Sequence, residues 1–213
     1  MAHRLEITEQ ICGPEVKSTI EAYKEETGSY KVRITSTCPT IELLGKTFNE
    51  LKWNAKQLYG TRLYDIWLFS KELGIKLFCP IPTAIMDVLW LESGMISESL
   101  ALKTKTKFNI VKNWDKKFKL SPTLCGYVTF IKTNTNSQGL KVKVISPCPQ
   151  VNQSLREDLE QINSLEDCEK LYKNPKITPT CWVPVTVSIA VAAELGIIKI
   201  NEDKPIFELE YKK

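Results

Sequence analysis

Six of the seven cysteines in the chain recur as two triplets in the same order. In each triplet the first cysteine precedes a glycine, the second precedes a proline, and the third has a proline three residues later. The members are Cys12, Cys38 and Cys79 in the first half of the chain, and Cys125, Cys148 and Cys181 in the second. Because a cysteine thiolate both ligates soft metals and attacks electrophiles, the pattern predicts metal binding or thiol chemistry at these positions.

The repetition extends beyond the cysteines. The stretches 30–36 and 140–146 read YKVRITS and LKVKVIS, and each leads into Ser-x-Cys-Pro. The third cysteine of each triplet precedes an apolar run that ends in Glu-x-Gly. We therefore predict two tandem modules, a first cysteine-containing α+β repeat over residues 1–110 and a second over 111–213. Cys168 has no counterpart, and we interpret it as incidental.

The hydrophobic periodicity predicts a βββαααβ order in each module, with an antiparallel sheet and helices on one face of it. A pseudo-twofold relation, with the two repeats packed as an intramolecular pseudo-dimer, is one arrangement of such a duplication. The predicted strands are 4–9, 16–24, 30–35 and 100–111 in the first module, and 127–132, 140–145 and 204–211 in the second. The predicted helices are 40–56, 62–73 and the run after Cys79, then 149–162, 165–172 and 183–195.

Four of the repeated cysteines stand where a predicted helix begins. Cys38 and Cys148 follow a strand directly, whereas Cys79 and Cys181 precede the apolar helix. Unpaired N–H groups and the positive end of the helix dipole favour a thiolate there. The remaining two, Cys12 and Cys125, are predicted on turns with glycine.

Three thiols in a module suit an iron–sulfur cluster with one iron left open better than they suit zinc, which prefers four ligands. Zinc stays an alternative, although His3, the only histidine, has no counterpart in the second module. The six thiols could form two separate sites or one larger shared cluster, and the sequence does not choose between these. Glu92 and Glu194, at the far ends of the apolar helices, lie too far from the cysteines to ligate the same metal, and we expect them to pair near the turns that follow.

The first functional hypothesis is a metal-binding, iron–sulfur protein that acts in electron transfer or as an accessory in cluster handling. The alternatives are a thiol redox or thiol-transfer enzyme with low-pKa cysteines at helix N-termini, or a non-catalytic interaction module with buried structural cysteines. Whether the protein is an enzyme stays open. The sequence carries no GxGxxG, no Walker lysine loop and no Gly-x-Ser-x-Gly elbow.

The composition is that of an ordinary globular protein, with 43% hydrophobic residues and a net charge of +4. The densest basic stretch, 103–119, has no recognition motif, so we expect a protein or redox partner and no nucleic acid. The start has no secretory signal, and the longest apolar run is interrupted by Pro184 and Glu194. We therefore expect no membrane association and a cytoplasmic location, where recurrent cysteines favour metal or thiol chemistry over disulfides.

Each half resembles a small uncharacterised family, a domain of unknown function found mainly in anaerobic archaea and bacteria. The matching residues are Cys12-Gly13, Ser36-Thr37-Cys38 and Cys79-Pro80-Ile81-Pro82, then Cys125-Gly126, Ser146-Pro147-Cys148 and Cys181-Trp182-Val183-Pro184. The chain departs from the family at Pro14 and Tyr127, where the family has phenylalanine, and at Trp182, where it has proline. The resemblance implies no established activity, but it implies an anaerobic host in which oxygen-sensitive clusters survive.

Overall fold

A computed structural model describes residues 2–13, 15–111 and 117–213 of the chain. Their strands are β1 (His3–Glu9), β2 (Val16–Lys24), β3 (Tyr30–Ser36), β4 (Lys105–Ile110), β5 (Lys117–Leu120), β6 (Thr129–Asn136), β7 (Gly139–Ile145) and β8 (Phe207–Lys212). They form one antiparallel sheet of eight strands in the order β3-β2-β1-β8-β4-β5-β6-β7. The predicted α+β class with an antiparallel sheet is confirmed.

The helices of the first half are α1 (Pro39–Glu50), α2 (Ala55–Gly60), α3 (Leu63–Glu72), α4 (Ile81–Glu92) and α5 (Glu98–Ala101). Those of the second half are α6 (Pro149–Ser154), α7 (Arg156–Glu160), α8 (Glu169–Lys173) and α9 (Val183–Glu194), with a 3-10 turn at Glu166–Cys168. The predictions of single helices over 40–56 and 149–162 were wrong, because each region divides into two. The sequence also fails to predict α5 and β5.

The strands bury one face, as their alternating sequences predict. Leu5 and Ile7 of β1 and Ile20 of β2 are almost fully buried, while their neighbours in sequence are more exposed. Side chains two residues apart on a strand share a face, so these apolar residues form one continuous surface. Helices α4 and α9 pack against it, with α4 contacting β1 and β2 and α9 contacting β6.

Helices α4 and α9 form the buried centre of the protein. Every residue from Ile81 to Leu89 is buried, and so is every residue from Val183 to Ala192. A helix that is apolar on all sides needs cover on all sides. The sheet supplies that cover on one side, and outer helices such as α3 supply part of it on the other.

The two halves exchange their closing strands. Strand β4, which ends the first half, lies beside β5 of the second half, and β8, which ends the second half, lies beside β1 of the first. β4 and β8 also pair with each other at the centre, from Lys105 opposite Glu210 to Phe108 opposite Phe207. The strand order therefore reads the same from either edge, which is what a pseudo-twofold axis between β4 and β8 produces.

Helix α1 lies unusually close to β3 because it carries a glycine at the contact. A Cβ added to Gly45 would stand 2.6 Å from the carbonyl oxygen of Ile34. The close approach fixes the start of α1, where Cys38 is the N-cap residue. Within the described ranges, no helix has the length and apolar character needed to cross a membrane.

Candidate functional site

The fold gathers each predicted cysteine triplet from three separate places in the chain. In the first half, Cys12 lies between β1 and β2, Cys38 caps α1, and Cys79 precedes α4. In the second half, Cys148 caps α6 and Cys181 precedes α9. All seven cysteines of the chain are free thiols.

The serine of the Ser-x-Cys-Pro motif holds the second cysteine of each triplet. Ser36 Oγ accepts the backbone N–H of Cys38 at 3.0 Å, and Ser146 Oγ accepts that of Cys148 at 3.2 Å. Both serines are tied to the adjacent strand, Ser36 to Ser18 on β2 at 2.7 Å. The motif is therefore a turn that passes from strand to helix with its amide satisfied by a side chain.

The Cys-x-x-Pro motif places the third sulfur against the first N–H of the apolar helix. The Cys79 sulfur accepts a hydrogen bond from Ile81 N–H, and the Cys181 sulfur accepts one from Val183 N–H. Each bond lowers the pKa of its thiol, as a helix start should. Burial outweighs it, and raises the pKa of Cys79 well above its ordinary value and that of Cys181 to about 12. The prediction that the helix starts favour thiolate at these two positions was wrong, because the sequence pattern does not reveal the loss of solvent.

The thiols of the first triplet act on one another directly. The pKa of Cys12 is raised to about 12, first by burial and then by the negative charges of Glu9 and Cys38, and its thiol hydrogen-bonds with both of those side chains. The ionised forms of Cys12 and Cys38 in turn raise the pKa of Cys79. Three negative charges brought this close repel each other, so a bound cation would stabilise all three thiolates together.

Glu9 is a site residue of the first triplet that the sequence does not predict. It is only 5% exposed, and its carboxylate accepts the backbone N–H of Ile11 and, at 3.2 Å, that of Cys12. Burial raises the pKa of Glu9 despite these two bonds, which act to lower it. The duplication could not reveal Glu9, because the residue three positions before Cys125 is Pro122.

The turn that carries Cys12 and Glu9 is held by the second half of the chain. The amide of the Gln10 side chain donates to backbone oxygens of Asn201, Lys204 and Pro205 at 2.9–3.2 Å. The backbone N–H of Gln10 also donates to Ile206 at 3.0 Å. The first triplet is therefore positioned by the segment that leads into the exchanged strand β8 as well as by its own module.

The second triplet has a hydroxyl where the first has a carboxylate. Thr123 Oγ1 lies 3.2 Å from Cys125 Sγ. After burial, the charges that raise the pKa of Cys181 include those of Cys125 and Cys148. The glycine after Cys125 has a φ of +78°, which favours glycine on conformational grounds, whereas Gly13 in the first triplet has no such backbone angle.

All three cysteines of the second triplet line one cavity of about 420 Å³. Its wall combines residues of both halves of the chain: Trp90, Met95, Ile96, Ser97, Leu100, Leu120, Thr123, Leu124, Cys125, Tyr127, Thr129, Cys148, Pro149, Gln150, Thr178, Thr180, Cys181, Trp182 and Val183. The thiols thus line a partly open, largely apolar cavity.

The charges that raise the pKa values of Cys79 and Cys181, the third cysteines, include those of the other two thiols of the same triplet. Among the described residues, no group of three or more His, Cys, Asp or Glu side chains stands in an arrangement that could hold a metal ion. The sulfurs converge without adopting ligand geometry.

The two repeated glutamates both contact the sheet. Glu92 Oε2 accepts from the backbone N–H of His3 at 3.1 Å and lies 2.6 Å from its Nδ1. Glu194 accepts a hydrogen bond from Thr133 at 3.3 Å. For Glu92 the expected partner near the turn was wrong, because Glu92 contacts His3 of β1 and so links α4 to that strand. The contact between Glu194 and Thr133 links α9 to β6.

A second buried acid, Asp87 of α4, connects the halves near the second triplet. Its Oδ2 accepts hydrogen bonds from Trp182 Nε1 at 2.8 Å and from the Tyr211 hydroxyl at 2.6 Å. Its Oδ1 is buried with no hydrogen-bond partner among the described residues. Burial raises the pKa of Asp87 to about 7. The position equivalent to Asp87 in the second module is Ile189, so the repeat again gives no signal.

The model of one protein family matches the chain twice, over residues 3–104 and 116–202, and its description is a family of unknown function (DUF6951). The two matches support the predicted duplication. Each match ends before the exchanged strand of its half, β4 or β8. The comparisons with curated proteins and with solved structures returned no match.

Proposed function

The chain belongs to the family of unknown function DUF6951, and we propose that it is a metal-binding protein whose two cysteine triplets each hold an iron–sulfur cluster. Its role on this proposal is electron transfer or accessory work in cluster handling, together with a protein or redox partner. The ligands are Cys12, Cys38 and Cys79 at one centre, and Cys125, Cys148 and Cys181 at the other.

One observation carries the proposal: the three cysteines of each triplet, up to 67 residues apart in the sequence, are brought within electrostatic reach of one another, and those of the second triplet line one cavity. Structural cysteines in a core have no reason to converge three at a time, since each serves there as a small apolar side chain. Convergence twice, on equivalent elements, favours a shared ligand. A cluster or metal ion supplies positive charge, which would lower the thiol pKa values that burial raises.

The observed geometry bears on the choice of metal. Three thiols leave one coordination position open, as in an iron–sulfur cluster with one exposed iron. Zinc is favoured only at the first triplet, where Glu9 could complete a set of four ligands. The described residues that line the cavity of the second triplet include no carboxylate, and Asp87, which Trp182 contacts, acts on Cys181 through its charge.

The raised pKa values of Cys12, Cys79 and Cys181 count against a thiol enzyme that depends on low-pKa cysteines. A thiol that is protonated at neutral pH attacks electrophiles slowly. A site that exchanges protons for a metal ion has no such requirement, because ligation itself removes the proton.

The test is anaerobic purification followed by reconstitution with iron and sulfide. We expect a brown protein with broad absorption near about 400 nm and bound iron and sulfide in two equivalents of cluster. The Cys38→Ser variant should lose the first cluster only, and the Cys148→Ser variant the second only. Cys168→Ala, which changes a cysteine outside both triplets, is the matched control and should keep both.

A folded protein that stays colourless and metal-free after reconstitution contradicts the proposal. Bound zinc without iron would support metal binding at the triplets but contradict the iron–sulfur cluster. Loss of both metal centres in the Cys168→Ala variant would contradict the assignment of ligands to the two triplets.

A further inference from the structure

Strand β7 forms one edge of the sheet, and the described residues pair it only with β6. The opposite edge, β3, is partly closed. There the backbone N–H of Tyr30 donates to the carbonyl oxygen of Trp53 at 2.7 Å, and that of Trp53 donates to Tyr30 at 3.0 Å. An unpaired edge presents backbone donors and acceptors that bind an extended chain. The edge at β7 is therefore the one at which the sheet can add a strand.

The face of the sheet that the helices leave uncovered differs in charge between the halves. In the first half, Glu21 of β2 lies opposite Arg33 of β3, and it forms ion pairs with Arg33 and Arg4, each at 3.9 Å. The equivalent positions of the second half hold Lys132 of β6 opposite Lys143 of β7. Strands β5, β6 and β7 contain no Asp or Glu. Lys132 and Lys143 therefore meet a like charge where their counterparts meet an opposite one.

The positive charge continues along β7. Lys141 and Lys143 are exposed, and because they are two residues apart they share a face of the strand. A strand added beside β7 would place alternate side chains opposite these lysines, with Cβ atoms about 4.5–5.5 Å apart. Carboxylates at those positions would be attracted. A second copy of this chain, paired through its own β7, would instead set lysines against lysines, so the charge pattern disfavours it.

The other face of β7 is apolar. Val142 and Val144 alternate with the lysines and lie half-buried at the rim of the core. The side chains on this face of an added strand would extend the same surface, and apolar ones gain from burial there. The two faces of β7 together specify a segment in which acidic and apolar residues alternate.

A basic face also attracts nucleic acid, but the aromatic residue on this face is unsuited to stacking a base. Phe130 of β6 is half-buried, and the Nζ of Lys117 lies over its ring at 4.5 Å from the centroid. That ammonium group covers one side of the ring, which leaves little ring surface for a base. The pattern therefore favours an acidic protein segment over a single-stranded nucleic acid.

We propose that the β7 edge binds an extended segment of another protein, with alternating acidic and apolar residues, as an added strand whose carboxylates face Lys141 and Lys143. Backbone hydrogen bonds hold the segment, and the lysines select its charge. The site itself needs no bound metal. The assignment of this segment to the redox partner named above rests on the proposed function.

The test measures the fluorescence anisotropy of a labelled synthetic peptide, Glu-Val-Glu-Val-Glu-Val-Glu, with the metal-free, reduced full-length protein. We expect a dissociation constant of about 0.1 mM or below. The peptide with lysine in place of every glutamate should bind at least about tenfold more weakly, because its charges are repelled by those of β7.

Two N-methylated forms of the glutamate peptide test for an added strand. One carries the methyl groups on its valines and the other on its glutamates. Successive N–H groups of a strand point to opposite edges, so only one of the two sets can face β7. One form should bind at least about tenfold more weakly than the parent peptide, and the other within about threefold of it. Equal affinities of the two forms would overturn strand addition.

Charge reversal assigns the binding to β7. Lys143→Glu should weaken the glutamate peptide about tenfold, since it replaces an attraction by a repulsion. Arg33→Glu is the matched control, because it makes the same change of charge at the equivalent position of β3, and it should leave the affinity unchanged. In the double variant Lys141→Glu, Lys143→Glu the preference should reverse, so that the lysine peptide binds at least about threefold more tightly than the glutamate peptide.

No binding of the glutamate peptide to the folded protein, or the same loss in Arg33→Glu as in Lys143→Glu, would overturn the proposal. So would a single-stranded oligothymidylate that binds more tightly than the glutamate peptide in the same assay, because the face would then be a nucleic-acid site. Peptide binding by a protein that holds no metal after reconstitution would refute the proposed function and leave the β7 site standing. Metal binding without peptide binding would do the reverse.

Discussion

The two cysteine triplets share their ligands and their supporting motifs but differ in what surrounds them. The first triplet has a buried carboxylate, Glu9, in contact with Cys12. The second has the hydroxyl of Thr123 in the corresponding turn, and its thiols line an apolar cavity. The same serine turn and the same helix start position the sulfurs in both.

The two halves therefore share the positions of their sulfurs, whereas the groups beside those sulfurs differ. A negative charge beside a thiol set increases its attraction for a cation. On the proposed function, the first centre is therefore the tighter metal site.

The prediction with the largest expected effect concerns the two halves of the chain when they are produced as separate fragments. Fragment 1–111 lacks β8, so the edge of its β1 has no partner, and an exposed strand edge recruits another strand. We expect two copies of this fragment to exchange β4, with each β4 occupying the place of β8, and to form a homodimer. Light scattering after size-exclusion chromatography measures the mass.

Mixing fragment 1–111 with fragment 112–213 should instead give a one-to-one complex. A folded monomer of fragment 1–111 would show that the exchanged strands are dispensable, and that the two halves are independent domains.

The second test concerns Asp87, which has no counterpart in the second module. Its pKa is raised from 3.8 to about 7 in the folded protein, so the folded state holds a proton that the unfolded state releases. The free energy of unfolding should therefore fall as pH rises between about 4 and about 7, by at most roughly 4 kcal/mol. Tyr211 and Cys181 face Asp87, and burial raises the pKa of both, so they stay neutral in this window.

Asp87→Asn retains an oxygen for Trp182 and Tyr211 but cannot ionise, so it should remove most of this fall. Urea unfolding at about pH 5 and about pH 8 measures the effect. The matched control is Asp65→Asn. Burial acts to raise the pKa of Asp65, but its hydrogen bonds and ion pair with Arg62 outweigh burial and lower that pKa below its ordinary value, so Asp65 titrates below this window. An unchanged pH dependence in Asp87→Asn would mean that Asp87 is ionised in the folded protein throughout.

The third test compares Glu9→Gln with Thr123→Val, using cobalt(II) as the probe metal. Removing the negative charge beside Cys12 should lower cobalt affinity at the first triplet by about 10- to 100-fold. Removing the hydroxyl beside Cys125 should lower it at the second by about threefold. Titration against a chromophoric chelator measures both, and each variant's unaltered triplet is its internal control. Equal losses would contradict the proposed difference between the sites.

The sequence allowed prediction of most of the strands and longer helices, because hydrophobic periodicity reports which face of a strand or helix is buried. The elements α5 and β5 have only four residues each, too few to show a period. The sequence did not allow prediction of the strand exchange, since Phe108 of β4 and Phe207 of β8 follow the same alternation and either strand could pair with β1 or β5. Glu9 and Asp87 were missed for a different reason. The site residues were predicted from their recurrence in both modules, and Glu9 and Asp87 occur only in the first module.

The prediction with the smallest expected effect compares a buried cysteine outside both triplets, Cys168, with one inside a triplet, Cys181. Cys168 is fully buried and outside both triplets, and burial raises its pKa to about 12, much as for Cys181. Cys168→Ala should lower the free energy of unfolding by about 1 kcal/mol through lost packing, with the metal content unchanged. Cys181→Ala removes the same atoms but also a ligand, so it should lose the second centre and spare the first. Metal analysis and urea unfolding of the two variants, side by side, measure this contrast. If Cys168→Ala depleted metal as Cys181→Ala does, the two triplets would no longer define the sites.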